Sequence, residues 1–211
     1  MKTTTIEDHP WLAVAFGSPH PARALATAVP LLAVLAWAAH GVPTATALAL
    51  GAGGVFYWTF AEYALHRWFY HWRPRRLSVR RIVESFHVYH HRHPKDRSVW
   101  NAGPLLILPL TALLAFPVWA ALASVALTAA FMTGAVIGYG LYEWAHYLVH
   151  ARTFRRGPLR YLQGFHLHHH HGNNRRCYGV TNPLWDLLLG TAAVRAQWRT
   201  APPAAEEPRR G

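Results

Sequence analysis

Long uncharged apolar segments alternate with basic ones along this chain. Residues 22–39 are rich in alanine, leucine and valine, and residues 44–65 form a second apolar run that carries three glycines. The 46 residues from 104 to 149 are almost wholly apolar. As a single helix they would extend ~69 Å, about twice the thickness of a bilayer core, so we expect them to reverse between residues 116 and 124, near Pro117. The pattern therefore predicts four transmembrane helices, over about residues 22–39, 44–65, 104–121 and 124–149.

The segments outside these runs are polar, aromatic or basic. Residues 1–21 are predicted to form an N-terminal polar arm, and residues 201–211 a disordered tail rich in proline, alanine, glutamate and arginine. The region between them, residues 22–200, is predicted to form one membrane domain. After the second span, residues 77–91 are predicted to form a helix on the membrane surface that ends at His93-Pro94. The predicted fold class is an all-α integral membrane protein with a His-rich helical cap on its cytoplasmic face.

The charges explain the orientation of this arrangement. Formal net charge is +12 although 52% of the residues are hydrophobic. Lys and Arg are absent between Arg23 and Arg67 and between Arg97 and Arg152; nine lie in residues 67–103 and ten follow Ala151. Since positive residues concentrate on the cytoplasmic side of membrane proteins, both termini and the 67–103 loop are predicted to be cytoplasmic. This segregation accounts for the basic composition without nucleic-acid binding, which is the other function that a basic chain rich in aromatics suggests.

Sixteen histidines are the main candidates for chemistry, because neutral imidazole is a good ligand for iron, zinc and copper. The pattern His-x-x-His-His occurs twice, and a further pair lies four residues apart, so the members of each set share a helix face. His66 and His71 are five apart, about 140° round an ideal helix, and converge only if the helix bends or the site wraps round its end. Ten histidines are the candidate ligands of a two-metal site: His66, His71, His87, His90, His91, His146, His150, His166, His169 and His170.

The other polar residues near these clusters receive different assignments. An acid inside a membrane span needs a partner, so Glu62 is predicted to hydrogen-bond a ligand histidine, and Glu143 and Asp186 are candidates for the same supporting role. Six histidines are predicted to be non-ligands with surface or hydrogen-bonding roles: His9, His20, His40, His93, His168 and His171. Other enzyme signatures are missing from the chain: it has no His-Glu-x-x-His order of a zinc hydrolase and no Gly-x-Ser-x-Gly elbow.

The same motifs resemble the fatty acid hydroxylase/sterol desaturase superfamily over residues 60–191, and are most similar to its fatty acid 2-hydroxylase branch. The motifs that carry the resemblance are Glu62-Tyr63, His66-Arg67, His71, His87-x-x-His90-His91, Pro94-x-Asp96, Tyr142-Glu143, His146-Tyr147, His150, His166-x-x-His169-His170, Gly179-Val180-Thr181, Trp185-Asp186 and Gly190-Thr191. Two departures are visible. No fused electron-donor domain like that of fungal relatives is found, and Glu143 occupies a position where aspartate is common.

The resemblance implies a membrane-bound non-haem di-iron oxygenase that uses dioxygen and two electrons to hydroxylate a C–H bond of a fatty acyl chain or related lipid. It implies two iron ions, which zinc can replace in purified protein, and a lipid substrate taken from the bilayer. It also implies an external electron donor, such as a ferredoxin or a haem-containing carrier. An acidic donor would dock on the Arg-rich cytoplasmic face.

Two alternatives remain open from the sequence. A sterol or carotenoid hydroxylase or desaturase of the same superfamily differs only in substrate. A His-rich metal-transport or metal-sensing membrane protein belongs to a different class, and a transporter is expected to carry its ligands near the middle of the membrane. The predicted ligands here lie at span ends, which favours the oxygenase.

Overall fold

The protein is mostly helical in the computed structural model, which describes residues 17–83 and 87–194, without the side chains of residues 81–83 and 104–105. The helices are α1 (Pro21–Ala38), α2 (Thr44–Ala64), a π-helix (Leu65–Tyr70), α3 (Leu77–Val83), α4 (Tyr89–Arg92), a 3₁₀ turn (Arg97–Val99), α5 (Pro104–Leu122), α6 (Val125–Ala151), α7 (Pro158–His171) and α8 (Leu184–Leu188). A two-residue antiparallel pair, β1 (Gly17–Ser18) with β2 (Asn101–Ala102), was not predicted.

Two of the long helices, α1 and α6, begin at a side-chain cap. The His20 side chain accepts a hydrogen bond from the Ala22 amide at the beginning of α1, and the Ser124 hydroxyl accepts one from the Leu127 amide at the beginning of α6. The reversal between α5 and α6 lies at Ala123, in a left-handed conformation, and Ser124. The reversal falls within the predicted interval of residues 116–124 but lies after Pro117, because α5 continues through this proline to Leu122.

Helices α2 and α6 pack closely because glycines face each other between them. A Cβ atom on Gly54 would collide with the backbone carbonyl oxygen of Phe131, and one on Gly134 would collide with that of Gly51. Such contacts let two backbones approach in the way small residues do in membrane helices. Trp58, Ala61, Val136 and Tyr139 continue the same buried interface toward the ends of α2 and α6.

Among the described residues, two helices, Pro21–Ala38 and Val125–Ala151, are long and apolar enough to cross a membrane, and Leu106–Leu122 is a shorter apolar helix. The outer faces of the long helices carry exposed large apolar side chains, including Trp37, which is 80% exposed, and Phe116, which is 67% exposed. An extended apolar surface of this kind is typical of contact with lipid. The helical class is confirmed, while the number of spans stays a prediction.

Several predicted segments are described by the structure only in part or not at all. The predicted polar arm, residues 1–21, is described only from residue 17, and the predicted tail, residues 201–211, lies outside the described residues. The surface helix predicted over residues 77–91 is seen as α3 and α4, with residues 84–86 between them outside the description.

Candidate metal centre

The ten histidines predicted as ligands lie together at one end of the α2 and α6 helices and form two groups. The first group is His66, His71, His87, His91 and His169. The second group is His90, His146, His150, His166 and His170. Within each group, one candidate ligand atom per histidine lies within 4.8 Å of all the others. The imidazole nitrogens therefore form two clusters, each compact enough to hold a metal ion. Each cluster contains residues from several helices.

Each His-x-x-His-His motif contributes to both groups. His87 and His91 belong to the first group, and His90 between them belongs to the second. In α7 the division is reversed, since His166 and His170 belong to the second group and His169 to the first. The two motifs thus lie across the space between the groups. Helical spacing indicated that the members of each motif are neighbours, but it did not indicate this division.

The π-helix brings His66 and His71 to the same group. Hydrogen bonds in a π-helix join residues five apart, so such residues lie on one face, whereas in an α-helix they diverge. The π-helix spans Leu65–Tyr70, and His71 follows it directly. The two imidazole rings are stacked, with centroids 5.2 Å apart. This is the local change of helix geometry that the five-residue spacing required.

The nitrogens of the first group converge through their Nε2 atoms. The Nε2 atom of His71 lies 3.0 Å from that of His169 and 3.2 Å from that of His87. His169 donates from Nδ1 to the Arg176 carbonyl oxygen at 2.7 Å, and His66 donates from Nδ1 to the Tyr178 carbonyl oxygen. Because a carbonyl can only accept, the Nε2 atoms of His66 and His169 carry lone pairs that face the other imidazoles of the group.

The second group has the same character. The Nε2 atom of His150 lies 3.1 Å from that of His90 and 2.9 Å from that of His166. The Nε2 atom of His146 and both ring nitrogens of His170 are buried without a hydrogen-bond partner among the described residues. Buried polar atoms are normally partnered. Bare imidazole nitrogens that converge in both groups fit the ligand set of a metal ion.

Burial keeps these imidazoles in the form that binds metal. It lowers the pKa of His87, His90, His166, His169 and His170 well below the usual range, and the neighbouring histidines lower it further. Burial also lowers the pKa of His71 to about 4, with a smaller contribution from Arg73, and that of His91 to about 2. These side chains are therefore neutral near pH 7, as metal ligation requires.

The three carboxylates predicted to support the histidines are fully or almost fully buried, but the prediction that Glu62 hydrogen-bonds a histidine is wrong. Glu62 accepts hydrogen bonds from the amides of Val180 and Thr181 and from the Thr181 hydroxyl. Asp186 and Glu143 likewise bond to segments that neighbour the site rather than to histidines. Carboxylates satisfied by backbone amides hold loops in place, so these three act on the chain around the ligands.

The histidines predicted as non-ligands lie outside both groups wherever the structure describes them. His40 and His171 are exposed, and His20 caps α1. A surface role for His168 is wrong, because the side chain is buried with its Nδ1 atom packed close to Gly172. His9 lies outside the described residues.

Sequence reasoning missed the backbone carbonyls that orient the ligands. Those of Arg176 and Tyr178 accept hydrogen bonds from His169 and His66. Backbone acceptors carry no residue-type signal. Their trace in the sequence was the two acidic residues that hold the same segment, Glu62 and Asp186.

Comparison with known proteins connects this geometry to a family. The family model described as fatty acid hydroxylase matches residues 51–191. A dihydroceramide fatty acyl 2-hydroxylase of Arabidopsis thaliana is 34% identical over 145 residues, 66% of this chain and 59% of the relative. The human fatty acid 2-hydroxylase is 30% identical over 65% of this chain and 38% of its own length. This chain thus spans less than two thirds of either relative.

A solved structure agrees with these matches. The chain superposes on the hydroxylase domain of full-length scs7p with a TM-score of 0.70 and 30% sequence identity. The match covers 78% of this chain and 63% of that one. The fold is therefore also that of a protein whose visible part is a hydroxylase domain.

Proposed function

Because this chain belongs to the fatty acid hydroxylase family, we propose that it is a membrane-bound non-haem di-iron oxygenase that hydroxylates a C–H bond of a fatty acyl chain. Dioxygen supplies the oxygen atom, and two electrons and two protons complete the balance: the C–H bond becomes C–OH and the second oxygen atom leaves as water. The observation that carries the proposal is the pair of histidine groups, because two adjacent clusters of five neutral imidazoles suit two metal ions.

Iron bound by the two groups would supply the site at which dioxygen is bound and reduced. The first group would hold one ion and the second group the other. The protein contributes the environment of these ions. Burial keeps the imidazoles neutral, and carbonyl acceptors such as that of Tyr178 fix which ring nitrogen of a ligand is free. Zinc, which prefers similar nitrogen ligands, would replace iron in purified protein.

A lipid-facing groove supports an acyl chain as the substrate. A cavity of about 260 Å³ lies along α2 and the π-helix, lined by Tyr57, Phe60, Ala61, Ala64, Leu65, Trp68, Phe69 and Leu114. The lining is almost entirely apolar, and Leu65 precedes the candidate ligand His66. An alkyl chain in this groove would therefore lie along the π-helix that carries His66. The relatives named for fatty acyl and ceramide substrates favour this class over sterols or carotenoids.

The proposed topology has four spans, α1, α2, α5 and α6, with both histidine groups at the cytoplasmic face. Basic side chains near the site are exposed, among them Arg73, Arg75, Arg76, Arg92 and Lys95. They would interact with lipid headgroups and with an acidic external electron donor, such as a ferredoxin or a haem-containing carrier. Metal transport is less favoured, because the histidine groups lie at helix ends rather than along the middle of a span.

Lipid analysis of cells tests the proposal. Cells that express the chain together with a ferredoxin and its reductase should accumulate hydroxylated fatty acyl chains, detected by mass spectrometry after release from the lipids. The variant His71→Ala/His170→Ala, which removes one candidate ligand from each group, should return the lipid profile to that of cells without the chain. Equal product from the variant and the unmodified protein would refute the assignment.

A further inference from the structure

One short segment, residues 176–181, orients two ligands of the first group. The Arg176 carbonyl accepts from the Nδ1 atom of His169, and the Tyr178 carbonyl accepts from that of His66. His66 lies in the π-helix and His169 in α7, so the two ligands come from distant parts of the sequence. A displacement of the segment would therefore affect both imidazoles together.

Two buried carboxylates hold this segment by four consecutive backbone amides. Asp186 accepts from the amides of Tyr178 at 2.9 Å and Gly179 at 2.7 Å. Glu62 accepts from the amides of Val180 at 2.6 Å and Thr181 at 2.8 Å, and from the Thr181 hydroxyl at 2.6 Å. Every amide from 178 to 181 thus bonds a carboxylate oxygen. Buried charge-assisted bonds of this kind are strong, and their number fixes the path of the segment.

A different segment, residues 100–102, contacts a ligand of the second group and is itself held by a buried carboxylate. The Trp100 ring stacks on that of His150, a second-group ligand, with centroids 5.7 Å apart. Glu143 accepts from the Asn101 side-chain amide at 2.6 Å and from the Ala102 backbone amide at 3.2 Å. Its carboxylate therefore holds the residues that directly follow Trp100.

We propose that Glu62 and Asp186 are positioning residues for the first metal ion, and that Glu143 is a positioning residue for the second. Each carboxylate acts through a backbone segment that contacts ligands of only one group. This inference rests on the proposed two-metal centre and adds that the two sites are maintained independently. Loss of one clamp would leave one ion bound and remove the other.

Glutamine at position 62 makes the sharpest test. It keeps the size of Glu62 but carries no charge, so the two amide bonds that one oxygen of Glu62 accepts lose their charge assistance, and its NH₂ group replaces the oxygen that accepts from the Thr181 hydroxyl. The clamp on residues 180–181 is therefore weakened, and the Tyr178 carbonyl that orients His66 is held less firmly. Loss of a group that hydrogen-bonds a metal ligand typically weakens metal binding about 10- to 100-fold, and Glu62 acts through the segment that carries such a group. The loss is expected at the first group only.

The experiment measures zinc bound to the purified full chain in detergent, after equilibration at a free zinc concentration that just saturates the unmodified protein. The unmodified protein should hold two ions, and Glu62→Gln and Glu143→Gln should each hold about one. A second substitution identifies the ion that is lost. Glu62→Gln combined with His71→Ala, a first-group ligand, should still hold one ion. Combined with the second-group change His170→Ala, it should hold almost none.

Glu143→Gln should give the opposite pattern. Combined with His170→Ala it should still hold one ion, and combined with His71→Ala it should hold almost none. If Glu62→Gln keeps both ions, or if its loss adds to that of His71→Ala, the positioning role is refuted. An unmodified protein that binds fewer than two ions refutes the two-metal centre instead. The two failures are therefore distinguishable.

A milder pair guards against simple misfolding of the glutamine variants. Thr181→Val removes only the hydroxyl that donates to Glu62, whereas Thr181→Ser keeps it. Zinc affinity of the first group should fall several-fold in the valine variant and stay unchanged in the serine variant, with second-group affinity unchanged in both. Equal affinities in the two variants, or equal losses at both groups, would contradict the proposal.

Discussion

At the scale of single residues, burial and hydrogen bonding distinguish candidate ligands from neighbouring histidines. Four consecutive histidines occupy 168–171, and periodicity alone left the register of this run open. The structure assigns His169 to the first group and His170 to the second, with His168 and His171 in neither. The Nδ1 atom of His169 donates to a backbone carbonyl, while that of His168 is buried without a partner among the described residues.

Alanine at these two positions should therefore have different effects on metal. His169→Ala removes a proposed ligand, so iron or zinc content should fall by about one ion per chain and product formation should cease. His168→Ala removes a buried ring that binds nothing, so metal content should be unchanged, while the cavity lowers stability by about 1–3 kcal/mol. Metal analysis and thermal unfolding of both variants make the comparison. Loss of metal from His168→Ala would mean that His168 is a ligand and that the assigned ligand register of residues 168–171 is wrong by one residue.

At the scale of helices, two local features make the site possible. The π-helix turns His66 and His71 to one side, and the glycine contact between α2 and α6 brings the ends of those helices together. A bulky side chain in that contact would separate the helices that carry His66, His146 and His150. Site geometry should thus depend on residues far from any histidine.

Gly134→Ala tests this dependence. The added Cβ would collide with the Gly51 carbonyl oxygen, and overpacking against backbone typically costs about 1–3 kcal/mol, more than the ~1 kcal/mol that alanine gains in a helix. Gly51→Ala is the matched control, because a Cβ there meets nothing within 4 Å. The midpoint of thermal unfolding in detergent should fall for Gly134→Ala and hold or rise for Gly51→Ala. Equal midpoints would mean that the helices do not pack by this contact.

The sequence predicted the long helices better than it predicted the local structure and hydrogen bonds around the histidine groups. Apolar length and turn residues were enough to find α1, α2, α5 and α6, and helical spacing was enough to select eight of the ten histidines that the structure brings together. The π-helix was not predictable, because only the misfit of a five-residue spacing indicated it. The partners of Glu62 were missed for a similar reason: they are backbone amides, which no residue type in the sequence reveals.

At the scale of the whole molecule, apolar outer faces and a basic end are the basis of the proposed orientation in the membrane. The exposed basic side chains surround the end that carries both histidine groups, whereas the turn around His40 lies at the far ends of α1 and α2. The proposed topology puts the basic end in the cytoplasm.

Cysteine labelling measures this orientation. Cys177, the natural cysteine, is buried and gives little background. Lys95→Cys and His40→Cys introduce exposed thiols at opposite ends of the molecule. A membrane-impermeant reagent added outside intact cells should label His40→Cys only, and both should react after the cells are opened. Labelling of Lys95→Cys in intact cells would contradict the topology.

We propose that two metal ions in the histidine groups direct oxygen from dioxygen into an acyl chain. The most direct measurement supplies heavy-isotope dioxygen to the iron-loaded protein with a reduced electron donor and a fatty acyl lipid, and follows the label by mass spectrometry. One labelled oxygen atom is expected in the hydroxylated acyl chain, and this product should form only with protein that carries two iron ions. A hydroxyl group labelled from water, or labelled product from protein that holds one ion, would contradict it.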